Sequence, residues 1–135
     1  MKQAREIVDQ MYSNDAFSIW LGIERLEERA GYSRLQMTVR EEMTNGFGIA
    51  HGGITYSLAD SALAFASNSH GLQSMSIETA ISHTRPVKAG DILTAETEEL
   101  NQSKRLAIYE VRITNQDNEV VALFKGTVFR TEKPW

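Results

Sequence analysis

A chain of 135 residues, 41% of them apolar and 24% charged, has the make-up of a soluble globular fold with one sizeable core. It contains no cysteine. That excludes a disulfide framework, a thiol nucleophile and a cysteine-based zinc or iron–sulfur site, and it fits a reducing compartment. The formal net charge of -4 argues against nucleic acid as the main partner, because phosphate binding needs clustered Lys and Arg.

The first residues, MKQAREIVDQMYSNDAF, carry charges where a signal peptide would be apolar. No stretch reaches the ~18 apolar residues of a membrane span. The reading is a cytoplasmic protein with no membrane partner. Ala4, Ile7, Val8 and Met11 follow helical spacing and predict one amphipathic N-terminal helix. The apolar cluster of Phe17, Ile19, Trp20, Leu21 and Ile23 then leads into the domain proper, a single unit over residues 1–135.

A first strand is predicted over about 23–29, with a turn at Gly31. In the second strand Leu35, Met37 and Val39 alternate with polar neighbours, the period of a half-buried strand. Residues 45–53 hold Gly46, Gly48, Gly52 and Gly53, a loop where backbone turns sharply or approaches something closely. From Gly53 the run ITYSLADSALAFASNS predicts a long helix. Its many small residues suit close enclosure by other structure, and Gly71 is a candidate stop. Four strands are predicted over 75–85, 91–100, 106–115 and 120–130, with NQSK and NQDNE as turns. One long helix and six strands predict an α+β fold in which a curved antiparallel sheet wraps the helix.

Two features carry chemistry. Asp60 sits on a largely small or apolar face of the long helix, and no Lys or Arg occurs between Arg40 and Arg85. Such a carboxylate either turns to solvent, bonds Ser57, or is a partly buried base or nucleophile of raised pKa. His51-Gly52-Gly53 falls at the helix N-terminus, where backbone N–H groups lack internal partners. It is either a glycine-rich turn or an oxyanion hole for acyl transfer. Gly52 and Asp60 are eight residues apart, about 12 Å of helix rise, so one site uses both only if a second subunit presents its own helix. Asn45-Gly46 is a common turn dipeptide, though its amide can also orient a water or a carbonyl. His51, His70 and His83 show no metal-ligand spacing, and there is no G-x-S-x-G elbow.

The stretch from Asn45 to Ser69, NGFGIAHGGITYSLADSALAFASNS, resembles the hotdog-fold acyl-CoA thioesterases of the phenylacetate-degradation (PaaI) type. That branch shows Asn, five residues, His-Gly-Gly, and Asp eight residues after the first of those glycines. The likeness continues into TRPVKAGD (84–91) and VALFKGT (121–127). The resemblance implies a six-stranded hotdog sheet around the central helix, and homodimers with active sites at the subunit interface, commonly paired into homotetramers.

It also implies roles. Asp60 is the general base or nucleophile, and the Gly52 N–H polarises the thioester carbonyl. Asn45 helps place the water or carbonyl, His51 orients the loop, and Ser76 helps hold the water. Gly53 and Tyr56 would contact substrate. Arg85 and Lys104, with Lys88 and Arg105, are candidates for the CoA phosphates. No cofactor or metal is implied. A 4-hydroxybenzoyl-CoA branch carries Glu at the place of Asp60 and Thr at that of Ala64, so the likeness points to a (hydroxy)phenylacetyl or similar aromatic or medium acyl group. The alternatives are a non-catalytic acyl-CoA-binding module and a hotdog hydratase.

Overall fold

The computed structural model describes residues 2–135. The central element is α3 (Gly52–Asn68), in which Leu58, Ala59, Ala62, Leu63, Phe65 and Ala66 are buried. A helix apolar around this much of its circumference must be enclosed, and a six-stranded sheet does it. Its strands are β1 (Glu24–Arg29), β2 (Tyr32–Thr38), β3 (Leu72–His83), β4 (Ile92–Gln102), β5 (Leu106–Thr114) and β6 (Val120–Pro134). Every paired strand is antiparallel, in the order β1-β2-β4-β5-β6-β3. The expected sheet around one helix is therefore observed.

Alternation sets which residues meet the helix. Leu35 and Met37 on β2, Leu93 and Ala95 on β4, and Tyr109, Val111 and Ile113 on β5 are buried. The glycine of VALFKGT lies where β6 and the helix approach closely. A Cβ at Gly126 would stand 2.6 Å from Leu63 Cδ2, so the missing side chain lets α3 seat against β6.

The N-terminal region departs from the expected single helix. There are two: α1 (Ala4–Ser13), burying Ile7 and Val8, and α2 (Ala16–Leu21), burying Ser18 and Leu21. Asp15 caps α2 by accepting from the Ser18 N–H at 3.0 Å, and Gly22 ends it at φ 74°. The apolar cluster of residues 17–23 is thus a helix followed by the approach to β1. The long helix begins at Gly52 rather than Gly53 and ends with Ser69 as its C-cap, not at Gly71. Strand β3 spans 72–83 rather than 75–85, which leaves Arg85 outside it.

The sheet has two edges. On the β1 side, Arg25 of the strand pairs with Asp9 of α1. Among the described residues no strand pairs with the outer side of β3, and its Met75 and Ile77 are 62% and 61% exposed. No helix among the described residues is long and apolar enough to cross a membrane.

Candidate active site

The start of α3 is built by its own sequence. His51 is the N-cap in extended conformation, and its Nδ1 accepts from the Gly53 N–H at 2.9 Å. Gly52 follows as the first helical residue, and its N–H makes no hydrogen bond among the described residues. That donor sits at the positive end of a 17-residue helix. It lies beside a cavity of about 360 Å³ lined by Asn45, Thr55, His83 and Arg85 as well as Gly52. His83 had no role in the sequence reading. Its Nε2 would stand 3.2 Å from a Cβ at Gly52, so the imidazole covers the glycine. The fold of β3 back along α3 produces this contact, and no local spacing announces it.

Asn45 behaves largely as the turn reading expects. Its Oδ1 accepts from the Phe47 N–H at 2.9 Å, and its carbonyl accepts from the Gly48 N–H at 3.0 Å. Gly48 takes φ +77°, a conformation that favours glycine. Asn45 nevertheless lines the Gly52 cavity.

Asp60 is half-buried and opens into a different cavity, of about 370 Å³. Met11, Leu63, Ala64, Met75 and Val128 supply apolar wall, and Ser76 supplies a hydroxyl. Ser57 does not bond Asp60; its hydroxyl donates to the Gly53 carbonyl at 2.7 Å. Burial holds the Asp60 carboxyl above the ordinary carboxylate range, and the Asp15 carboxylate raises it further. Asp15 is itself fixed. The Ser18 hydroxyl donates to its Oδ2 at 2.7 Å, so the Ser61 hydroxyl, 2.7 Å away, donates to Ser18. Asp15 and Ser18 lie in α2 and its cap, and neither was a candidate in the sequence.

Gly52 and Asp60 therefore face separate cavities of one chain. Asp60 and Ser76 come together, as do Gly52, Asn45 and Arg85. His51 and Gly53 border a third hollow with Phe17 of α2. Tyr56 points into the sheet. Its hydroxyl lies 2.5 Å from Thr79 Oγ1, and its ring packs edge-on against Phe124 at 5.4 Å. Arg85 pairs with Glu119 at 3.3 Å and keeps half of its side chain exposed. Lys104 sits in the β4–β5 turn, exposed and outside these cavities. No cluster of three metal-ligating side chains occurs among the described residues.

The chain matches the thioesterase superfamily over residues 47–122. It is 42% identical to the Escherichia coli acyl-coenzyme A thioesterase PaaI over 89% of this chain and 86% of that protein. The solved E. coli PaaI, from the phenylacetic acid degradation operon, superposes with a TM-score of 0.94, covering 97% of this chain and 95% of that one at 39% identity. A Streptococcus pneumoniae thioesterase protein solved with coenzyme A gives a TM-score of 0.87 at 27% identity, covering 93% and 98%. By these likenesses the chain belongs to the thioesterase superfamily and is a thioester hydrolase with the hotdog fold.

Proposed function

We propose that the chain hydrolyses acyl-CoA thioesters, with (hydroxy)phenylacetyl-CoA or a similar aromatic or medium acyl-CoA as substrate. The observation that carries this is one helix bearing an unpartnered N–H at Gly52 and, eight residues on, the half-buried Asp60 with no cation acting on it. The coenzyme A found with a structural neighbour supports the CoA moiety. The apolar lining beside Asp60 supports a hydrophobic acyl group.

In the proposed reaction the carbonyl oxygen accepts from the Gly52 N–H as negative charge develops there. Asp60 takes a proton from water, the water oxygen bonds the carbonyl carbon, and the carbon–sulfur bond breaks. The CoA sulfur leaves with that proton, and the acid is the second product. In the other route the Asp60 carboxylate attacks the carbonyl carbon directly, the carbon–sulfur bond breaks, and CoA leaves as the thiolate; water then hydrolyses the mixed anhydride, which restores the Asp60 carboxylate, releases the acid and supplies the proton that the thiolate takes. Both routes use the same donor and the same carboxylate. Ser76 and Asn45 hold the water or carbonyl, His51 holds the turn, Gly53 borders the acyl-CoA, Tyr56 supports the helix from the sheet side, and Arg85 and Lys104 meet the CoA phosphates.

The site is composite in this reading. The Gly52 cavity of one protomer meets the Asp60 cavity of its partner in a homodimer, which pairs further into a homotetramer. Two features support it: the two groups are about 12 Å apart along their own helix, and the open β3 edge borders the Asp60 cavity.

The test is hydrolysis of aliphatic and aromatic acyl-CoAs, followed by released thiol, which a cysteine-free chain does not obscure. Wild type is expected to cleave aromatic acyl-CoAs, and Asp60→Asn to lose ~100-fold in turnover, the scale of a positioned acid–base group. A wild type that binds acyl-CoA without cleaving it would overturn the proposal.

A further inference from the structure

The Asp60 cavity has a direction. Asp60, Ala64 and Asn68 recur every four residues on one face of α3, and all three line it. From Asp60 to Asn68 the helix rises about 12 Å. At the Asn68 end stands Trp135, just beyond β6.

Trp135 is held there by specific bonds. Its indole Nε1 donates to Asn68 Oδ1 at 2.9 Å, and its backbone N–H donates to the Gly71 carbonyl at 3.0 Å. Asn68 is 2% exposed and is itself fully engaged. Its Nδ2 donates to the Ala64 and Ser74 carbonyls at 2.8 and 3.0 Å, and its Oδ1 also accepts from the Ser74 N–H at 2.8 Å. A buried amide with its bonds satisfied is a rigid anchor. The indole is thus pinned at the Asn68 end of the cavity. Met11, Leu63, Ala64 and Val128 give the cavity apolar wall, and Gln73 with the serines of α3 and β3 gives it a polar part.

We infer that Trp135 is the end wall of the acyl pocket and sets the longest acyl group the enzyme accepts. The inference rests on the reading of Asp60 as the group at the reacting carbonyl. The carbonyl then lies at the Asp60 end, and the acyl group runs along α3 toward the indole. A large, flat, apolar face ends the pocket, one that also suits an aromatic ring packed edge-to-face or offset. A long straight chain meets the indole and cannot seat its carbonyl at Asp60, so the discrimination falls on kcat/KM for long acyl groups.

The experiment compares kcat/KM for butyryl-, octanoyl-, palmitoyl- and phenylacetyl-CoA in wild type, Trp135→Ala and Trp135→Leu. Wild type is expected to reject palmitoyl-CoA. Trp135→Ala is expected to raise the palmitoyl-to-butyryl ratio of kcat/KM at least tenfold. Trp135→Leu, which keeps an apolar side chain on Asn68, is expected to shift the ratio in the same direction by less, and it serves if the alanine variant does not fold. A merely structural role would lower all four substrates together and leave their ratios alone. Unchanged ratios in an active variant overturn the assignment of Trp135 while leaving the thioesterase reading intact. A folded wild type inert on all four overturns both.

Discussion

Asp60 carries a cost in stability that its proposed role explains. Its carboxyl is held above the ordinary range, first by burial and then by Asp15. The folded state therefore binds a proton more tightly than the unfolded chain does, and ionising Asp60 destabilises the fold. That penalty is present at neutral pH. It fades as pH falls through the raised value and is gone below the ordinary carboxyl value of 3.8. Asp60→Asn is thus expected to unfold at a higher temperature than wild type at neutral pH, with the gap closing in acid, even as its activity is lost. Thermal melts across the pH range check this, and a less stable variant at neutral pH would contradict it.

The same charge logic extends to Asp15. With Asp60 acting ionised, kcat/KM falls as pH drops through its raised pKa. Asp15→Asn keeps an oxygen to cap Ser18 but removes the negative charge, so the acidic limb of the profile is expected to move to lower pH. The other side chains lining the Asp60 cavity, from α1, α3, β3 and β6, bear no charge that would replace it. An unmoved limb with intact folding would remove Asp15 from the account. At this scale the candidacy of Asp60 and Gly52 was legible in the sequence, because a helix with no nearby cation and a glycine at its start are local facts. Asp15, His83 and Trp135 were not. His83 and Trp135 reach their cavities, and Asp15 acts on Asp60, from elements remote in sequence, and none stands in a motif.

Among the elements, α3 was the most legible because seventeen residues give its small and apolar character room to show. Its start differs by one residue from the expectation, because Gly52 is already helical behind the His51 cap. Strands β2, β4, β5 and β6 followed from alternation and turn residues. Helix α2 was missed because six residues span less than two turns, too few for a period to stand out against an apolar run. Its signals were the Asp15 cap and the left-handed Gly22, which periodicity does not count. The seat of α3 on the sheet gives a prediction at this scale. Gly126→Ala places a methyl against Leu63 and is expected to cost about 1–3 kcal/mol as an overpacked core contact. Denaturant titration measures it, and a neutral result would mean that helix and sheet part without penalty.

At the scale of the whole molecule, sequence order hides the sheet order. Strand β3 follows α3 directly yet lies at the edge beyond β6, and only the fold shows that its outer side is open. The two cavities were likewise invisible in the sequence, although the distance along the helix already argued that Gly52 and Asp60 do not share a site within one chain. If β3 is where protomers meet, a charge there acts as edge strands of monomers do, by preventing pairing. Ile77→Lys is expected to yield a smaller assembly by light scattering and to lose activity with it. An active monomer would contradict a site shared between protomers.

The most direct measurement is complementation between two inactive variants. Asp60→Asn removes the carboxylate. Gly52→Pro removes the backbone donor at the first helical position, where proline is tolerated, and His51 already has the extended conformation that a following proline requires. The two are co-expressed with different tags, and the mixed dimers are isolated. If each site takes Gly52 from one protomer and Asp60 from the other, one of the two sites in a mixed dimer is intact, and activity returns to about half that of wild type. If mixed dimers stay as inactive as their parents, both groups act within one protomer or not together, and the composite site is wrong.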